Sequence, residues 1–231
     1  SAVLSNNIVT AASGIVSFNA AQDLNIDEVQ TGYVLRAGSG ALTTADSSAF
    51  NITPAAPAKL VYSLQPVNTV AGEDILVTIE VQDSFDNVVT YDSSTVVTLS
   101  LSTDPSAGSA VLSNNIVTAA SGIVTFNSAQ DLNIDEVQTG YVLQAGSGAL
   151  TVDNSNAFNI TPAAPAKLVY SLQPVNTVAG EDILATIEVQ DQFDNVVTYD
   201  SSTVVTLSLS TDPSGGSATL SNNIVTAASG L

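Results

Sequence analysis

The side chains of this sequence that could do chemistry are almost all carboxylates. Asp and Glu number 22 against 3 Lys and Arg, which gives a formal net charge of −19 at pH 7. Calcium takes about six to eight oxygen ligands, and carboxylates supply them without nitrogen or sulfur. Four acidic clusters are candidate ligand sets: Asp23, Asp27 and Glu28; Asp83, Asp86 and Asp92; Asp131, Asp135 and Glu136; and Asp191, Asp194 and Asp200. They suggest calcium binding, with solvated loop charges as the alternative because no Asp-x-Asp-x-Asp-Gly loop is present.

Composition excludes most catalytic chemistry. The chain contains no Cys and no His, so a Ser–His–Asp triad, a Cys–His pair, a thiolate–imidazole zinc site and thiol redox chemistry are impossible. Two carboxylates could form a glycosidase pair, but Trp is absent and the aromatic residues alternate as core side chains do. We therefore expect no enzyme, no catalytic residue and no cofactor other than calcium.

The basic residues narrow the range of partners. Arg36, Lys59 and Lys167 are the only cations, and three charges cannot neutralise a phosphate backbone, so nucleic acid is not expected. No apolar run of about 18 residues is present, so membrane insertion is not expected either. Lys59 could condense with Asn159 to form an isopeptide crosslink, but a charge pair with nearby carboxylates is the simpler interpretation.

The elements that must position these residues belong to an internal repeat. The segment that begins at Ser1 returns at Ser109 and again at Ser217, which is a period of 108 residues. Residues 1–108 and 109–216 differ at ten positions, with no insertion. A period of this length matches a whole small domain rather than a short solenoid repeat.

Two proline-rich segments, 54–57 and 162–165, set the boundaries of the repeated unit. Both read Pro-Ala-Ala-Pro, a stiff sequence that cannot join a central strand. We therefore expect 1–54 to be the C-terminal half of a unit, 55–162 a complete unit and 163–231 the N-terminal part of the next. Incomplete units cannot bury their apolar faces, so the ends need complementation, within a longer fibre or by head-to-tail subunit docking.

These boundaries place acidic loops at the junctions between successive units. The Asp23, Asp27 and Glu28 cluster of one unit is expected to face the Asp83, Asp86 and Asp92 cluster of the next. The remaining two clusters repeat this arrangement at the second junction. A calcium ion bound between the loops would stiffen the junction, and calcium is therefore the one metal that the sequence suggests.

Side-chain alternation within the complete unit has a period of two, and Val, Ile and Thr are abundant, which is typical of half-buried strands. The predicted strands are 59–64, 75–82, 97–102, 110–118, 123–127, 141–145 and 150–160. No helix is predicted. Seven strands joined by short turns in about 105 residues predict an all-β fold of tandem immunoglobulin-like Greek-key β-sandwiches without a disulfide.

Tyr141 follows a polar loop at the start of the sixth predicted strand. In sandwiches of this type a Tyr at that place packs under the corner and returns its hydroxyl to the backbone a few residues upstream. An ordinary core Tyr is the alternative, and the partner of the hydroxyl distinguishes the two. Leu143 occupies the place of the sixth-strand cysteine in antibody domains, so aliphatic packing must hold the core.

The order and spacing of several segments resemble the tandem bacterial Ig-like repeats of large surface proteins, of which invasin- and intimin-type adhesins are examples. The segments include Ala-Lys-Leu-Val-Tyr-Ser-Leu-Gln-Pro at 58–66, Ser-Gly-Ile-Val-Thr-Phe at 121–126 and Gly-Tyr-Val-Leu-Gln-Ala at 140–145. Members of that family often carry Gly-Asn where this chain has Asp86-Asn87. The resemblance implies an extracellular stalk repeat with no catalytic residues.

Near-identity of the units fits a function that depends on length rather than on one unique surface. We therefore expect a structural spacer or stalk repeat of an extracellular fibre or giant surface adhesin, on the bacterial cell surface or secreted. Its expected partners are neighbouring identical repeats or protomers. The alternative is a repeated carbohydrate- or protein-binding module that gains avidity from repetition, and it requires an exposed aromatic or loop patch that the sequence does not reveal.

Overall fold

The computed structural model describes residues 4–231, so residues 1–3 of the first repeat lie outside the described range. All regular structure in residues 4–231 is β, as predicted. Residues 4–54, the first segment, contain β1 Gln30–Tyr33, β2 Arg36–Ala37, β3 Ala45–Asp46 and β4 Phe50–Ile52. Residues 55–162, the middle unit, contain β5 Lys59–Leu64, β6 Thr69–Val70, β7 Val77–Gln82, β8 Val96–Thr103, β9 Ile116–Thr118, β10 Ile123–Phe126, β11 Gln138–Gly146, β12 Asp153–Asn154 and β13 Phe158–Thr161. Residues 163–231, the last segment, contain β14 Lys167–Leu172, β15 Thr186–Gln190, β16 Val204–Thr206 and β17 Ile224–Thr226.

The middle unit is built from two sheets. One has the strand order β10–β7–β5, and the other β6–β13–β11–β8–β9, with β12 paired to β11. Neighbouring strands are antiparallel except β6 and β13, which are parallel. Each sheet combines strands from residues 55–108 with strands from residues 109–162. The two halves of the unit therefore complete each other.

The core lies between these sheets and consists of side chains from alternate strand positions. Its largest fully buried members are Tyr141, Phe126, Phe158, Leu60, Ile75, Ile79, Leu99, Leu132, Ile134, Leu143, Ile160 and Val77. The rings of Tyr141 and Phe158 are 6.0 Å apart between centroids. The all-β sandwich that the sequence predicts is confirmed, and aliphatic and aromatic packing holds it without a cysteine.

The hydroxyl of Tyr141 donates a hydrogen bond to the backbone carbonyl of Glu136, at 3.0 Å. The same bond joins Tyr33 to the Glu28 carbonyl, also at 3.0 Å. Burial raises the pKa of Tyr141 to about 12. The predicted return of the hydroxyl to upstream backbone is confirmed, and it fixes the loop that leads into β11.

Two strand predictions differ from the structure, and one observed strand was not predicted. The strand predicted at 110–118 is limited to β9, because 110–115 are irregular apart from an isolated bridge of Ser113 to Asn133 and a bend at Asn114, which has φ +55°. The strand predicted at 150–160 splits into β12 and β13, since the Ser155 hydroxyl accepts the Leu143 N–H at 2.9 Å and donates to the Asn156 carbonyl. Strand β6 was not predicted, because two residues carry too little alternation to detect.

The end segments contain strands but no closed core. No hydrophobic side chain among the described residues of the first segment is buried, and the last segment buries only Val189, Val197 and Ala227. Phe18 is 44% exposed, whereas its counterpart Phe126 in the middle unit is 1% exposed. The apolar faces of the end segments are therefore open in this chain.

Candidate functional site at the junctions between units

The same five-residue loop follows β7 and β15. It reads Asp-x-Phe-Asp-Asn at 83–87 and at 191–195, and we call these segments the junction loops. Asp86 and Asp194 have φ of 72° and 73°, a left-handed conformation that lets each loop turn back on itself. The Asp83 N–H donates to the Asn87 carbonyl at 2.9 Å, which closes the first loop. A repeated tight turn thus presents the same side chains at both junctions.

The first residue of each junction loop is a buried carboxylate that binds backbone N–H groups. One oxygen of Asp83 accepts from the Phe85 and Asn87 N–H groups, and the other accepts from the Ala55 N–H of the linker at 2.9 Å. Burial alone would raise the pKa of Asp83, but these hydrogen bonds outweigh it and hold the pKa below its usual value. Asp191 repeats the arrangement with Ala163, and its pKa is lowered in the same way.

The last residue of each junction loop binds the preceding unit. The Asn87 amide donates to the Asp27 carbonyl at 2.8 Å and accepts the Val29 N–H at 3.1 Å. Asn195 makes the same pair of bonds to Asp135 and Val137, at 2.8 and 3.1 Å. Asp83 and Asp191 orient these amides by accepting from the same nitrogen atoms. Each junction is therefore joined by a two-point amide contact.

A tyrosine holds the linker from the other side. The Tyr91 hydroxyl donates to the Ala55 carbonyl at 2.8 Å, and the Tyr199 hydroxyl donates to the Ala163 carbonyl at 3.0 Å. The N–H group of each alanine is already bound by the junction-loop aspartate. Since both polar groups of this linker residue are held, the linker has little freedom to rotate.

The second junction adds an apolar contact. Phe193 packs against the core cluster of the middle unit and lies directly on Gly72, where a side chain would have no room because its Cβ would collide with the Phe193 ring. Gly72 has φ +77°, which also favours glycine. The aromatic ring of one unit thus occupies the space that a side chain would need in the preceding unit.

The first junction lacks this contact in the present chain. Phe85, the counterpart of Phe193, is 57% exposed. The residue equivalent to Gly72 would belong to the first half of the preceding unit, and the first segment carries only the second half of a unit. Phe85 therefore presents an apolar surface at a junction whose polar contacts are complete.

The remaining acidic residues of the junction loops serve local roles. Asp86 pairs with Lys59, and Asp194 with Lys167, at the exposed surface. The structure thus pairs Lys59 with a carboxylate rather than with Asn159, whose side chain accepts the Gly140 N–H.

Asp92 and Asp200 are buried and stabilise the turn that follows each junction loop. One oxygen of Asp92 accepts from the Ser94 N–H and hydroxyl and from the Thr95 N–H, while the other has no hydrogen-bond partner among residues 4–231. Burial would raise the pKa of Asp92, but the hydrogen bonds lower it below its usual value. Hydrogen bonds from Thr203 and Ser202 lower the pKa of Asp200 to about 2.

The acidic cluster on the other side of each junction contributes backbone rather than carboxylates. Asp27 and Asp135 offer their carbonyl groups to the junction amides, and Glu28 and Glu136 offer theirs to the corner tyrosines. The carbonyls of Asp23 and Asp131 accept from asparagine side chains. The predicted loops therefore meet through amide and backbone groups.

The structure does not gather the predicted calcium ligands. Among residues 4–231, no group of three or more His, Cys, Asp and Glu side chains is arranged to hold a metal ion. Both oxygens of Asp83 and of Asp191 are occupied by N–H donors. Calcium at the junctions stays a prediction, and the observed junction is held by other groups.

The sequence did not identify the residues that make the main contacts at the junctions: Asn87, Asn195, Tyr91, Tyr199, Phe193 and Gly72. One signal was available. The Phe of each junction loop is the large apolar residue of a polar turn, which is unusual unless another surface covers it. The partner Gly72 could not be identified, because its contact lies across a unit boundary.

No protein-family model matches the chain, and no curated protein matches it in sequence. Among solved structures, the chain is similar to a glycosyl hydrolase family 2 member from Bacteroides cellulosilyticus, at 16% identity and a TM-score of 0.33. The similarity covers 56% of this chain and 17% of that one. A likeness this weak assigns neither fold nor function. Within residues 4–231, no helical segment has the length and hydropathy of a membrane span.

Proposed function

We propose that this chain is a rigid spacer, a run of stalk repeats in an extracellular fibre or surface adhesin. The observation that carries the proposal is the junction: a linker residue held at both polar groups, a two-point amide contact and, at the second junction, an aromatic side chain packed on the preceding core. Such contacts fix the angle between successive units. A fixed angle converts added repeats into added length.

An immunoglobulin-like Greek-key topology is the second part of the proposal. The strand orders β10–β7–β5 and β6–β13–β11–β8–β9 support it, because β5 to β8 alternate between the two sheets and the chain crosses back for β10 and again for β11. The hydroxyl bond of Tyr141 to upstream backbone supports it as well. Sandwiches of this class place the two ends of the chain at opposite poles, which suits a repeated spacer.

An extracellular location belongs to the proposal as well. The chain has no cysteine and a net charge of −19, and a strongly acidic chain stays soluble and self-repelling in saline surroundings. Antibody against the middle unit should label intact source cells or their medium without permeabilisation. Labelling that requires permeabilised cells would contradict the location.

Arrays of the middle unit test the spacer function directly. Building the array from two, four and eight copies of residues 55–162 gives every internal junction both the amide and the Phe–Gly contacts. We expect the maximum dimension from small-angle X-ray scattering to rise linearly with copy number, by about 40 Å per copy. This length per copy corresponds to strands of roughly nine residues at ~3.3 Å per residue, followed by a short extended linker. Growth with the square root of copy number, as for a flexible chain, would contradict the proposal.

A matched array carries alanine at the asparagine and phenylalanine of every junction loop. Each unit should stay folded, because both side chains lie outside its own core. The maximum dimension of this array should increase less per added copy than that of the original array. Equal slopes would mean that other features hold the repeats in line.

A further inference from the structure

The first and last strand segments of the middle unit run side by side and in the same direction. Strand β6 pairs with β13 in parallel, and an isolated parallel bridge joins Lys59 to Thr151 ahead of that pair. All other strand pairs of this unit are antiparallel. Residues 58–71 and 151–161 are here named the first arm and the second arm of a clamp, because hydrogen bonds join them along their length.

Backbone hydrogen bonds connect the two arms at both ends. At one end the Thr151 N–H donates to the Ala58 carbonyl at 3.0 Å, and the Leu60 N–H donates to the Thr151 carbonyl at 2.9 Å. At the other end the Ala71 N–H donates to the Thr161 carbonyl at 2.8 Å. The arms therefore stay in contact from one end of the unit to the other.

Side chains supply further bonds between these two ends. The Gln65 side chain accepts the Asn156 N–H at 2.7 Å, and the Asn68 side chain accepts the Asn159 N–H at 2.9 Å. The residues of each pair are 91 positions apart in the sequence. The paired residues of β6 and β13 keep the same separation, so one parallel register holds along the arms.

Both arms are also anchored in the core by buried side chains. The first arm contributes Leu60, Tyr62 and Ala71, and the second contributes Phe158 and Ile160. Sliding one arm along the other would pull these side chains out of their packed positions while it broke the hydrogen bonds. The two kinds of contact therefore resist the same movement.

The direction of the arms decides how tension acts on the unit. The first arm begins directly after the linker 54–57, and the second ends directly before the linker 162–165. Because the arms are parallel, the two linkers leave the unit at opposite ends. Tension along a row of units pulls the arms in opposite directions, so the bonds between them are loaded together. Peeling the arms apart from one end would instead load these bonds one at a time.

We propose that this clamp lets each complete unit carry tensile load along the fibre. The inference rests on the proposed spacer function, because tension crosses a unit only when it stands in a row, and it adds load bearing to length. Unfolding under force is governed by the unfolding rate. The clamp acts by lowering that rate, since its bonds must break together before the arms can separate.

One bond of the clamp differs between repeats. Asp153 accepts the Tyr62 N–H at 2.9 Å, but Ala45 stands at the corresponding position of the preceding repeat. The side chains of the first arm are kept, and recur as Gln173 and Asn176 in the next repeat. Repeats that carry alanine in place of the aspartate should therefore unfold at a lower force than the middle unit.

Pulling one protein in two directions tests the clamp, since the chain has no cysteine of its own. Two forms of the full chain carry pairs of engineered cysteines, joined to DNA handles in an optical trap. Ala56→Cys with Ala164→Cys loads the arms in opposite directions, whereas Ala56→Cys with Ala149→Cys pulls both arms from the same end. All three positions are exposed. At the same loading rate, we expect the second form to unfold at a several-fold lower force. Equal forces in the two forms would overturn the proposal.

Variants in the first pulling direction separate the clamp from ordinary stability. Asn68→Ala removes one bond between the arms, and Asp153→Ala removes another. Each should raise the unfolding rate at constant force about fivefold, the factor that one hydrogen bond is worth. Asn115→Ala is the control, because its amide donates to the Leu99 carbonyl outside the arms. It should change that rate less than twofold, even where urea unfolding shows the same loss of stability.

An unfolding rate under force that rises as much in the control as in the two clamp variants would overturn the proposal. The spacer function would survive that result, because the length of the arrays is measured by scattering without applied force. Arrays that grow as a flexible chain would instead contradict the spacer function, whatever force the single unit withstands.

Discussion

The two junctions of the chain share their polar contacts and differ in their apolar ones. Asn87 and Asn195 bind the preceding unit with the same pair of hydrogen bonds, and their lengths agree between the junctions. Phe193 packs on Gly72 and the core behind it, whereas Phe85 remains 57% exposed. The sequences of the two junction loops differ at one residue only, Ser84 against Gln192. The difference therefore comes from the preceding unit.

This difference separates the junction into two parts with different requirements. The polar part needs only the second half of the preceding unit, which supplies the carbonyl and N–H groups that the asparagine binds. The apolar part needs the first half as well, because Gly72 belongs to it. A complete unit on the N-terminal side is thus the condition for the full junction.

Unfolding the middle unit should break both junctions at once and have the largest effect. Leu143 is fully buried between the sheets. Leu143→Asp places an unpaired charge there, which costs several kcal/mol and approaches the total stability of a small domain, about 5–15 kcal/mol. We expect loss of the cooperative urea-unfolding transition of the middle unit. Gln144→Asp, on the neighbouring position, should cost less than ~1 kcal/mol. Equal destabilisation by the two variants would mean that the strand register is different.

Acid should weaken the polar part of both junctions and leave the apolar part. The pKa of Asp83 and the pKa of Asp191 are lowered in the folded chain, so the unfolded state binds protons more readily as the pH falls. The stabilisation that these two carboxylates give the folded state is complete above their unfolded-state pKa of about 3.9. It is lost as the pH falls through their lower folded-state pKa values. In ¹⁵N relaxation measurements, the residues of the first junction should become mobile at a higher pH than those of the second, because Phe193 still holds the second junction. Identical pH profiles would show that Phe193 adds nothing.

Loss of one amide should have a smaller effect that differs between the junctions. Asn87→Ala removes the acceptor of the Val29 N–H, and Asn195→Ala removes that of the Val137 N–H. Each lost bond is worth about 1 kcal/mol, or roughly a fivefold change in exchange rate. Hydrogen exchange of Val29 should accelerate more than that of Val137, because Phe193 still holds the second junction closed.

Variants at the exposed loop position provide the control for this exchange experiment. Ser84→Ala and Gln192→Ala alter exposed side chains of the same loops, and they should leave both exchange rates unchanged. An acceleration of Val137 exchange as large as that of Val29 would contradict the division into polar and apolar parts.

The sequence predicted the sandwich well because its signals are local. Alternation at 59–64 and 75–82 reports which side chains face the core, and the 108-residue period reports the size of the unit. The sequence indicated acidic loops at the junctions, but it did not reveal the amide and aromatic contacts that the structure shows there. Carboxylates suggested calcium, but whether Asp83 binds a metal or three N–H groups depends on the turn that places Asn87 beside it. That turn is set by Asp86 in a left-handed conformation, which sequence spacing does not reveal.

The contact of Phe193 with Gly72 should fix the angle of the second junction, and a distance measured across that junction reports the angle. Spin labels at Thr125 and Thr206, both exposed, allow pulsed electron–electron distance measurement. Gly72 and Gly180 both have positive φ, but a Cβ would meet Phe193 only at Gly72. Alanine strains the backbone at either position, so Gly180→Ala controls for strain.

The width of the distance distribution between these labels decides whether the contact holds the junction. We expect a narrow distribution in the wild-type chain, the same narrow distribution in Gly180→Ala, and a broadened or shifted one in Gly72→Ala and in Phe193→Ala. Distributions that are indistinguishable among the wild-type chain, Gly72→Ala and Phe193→Ala would show that the contact does not set the angle.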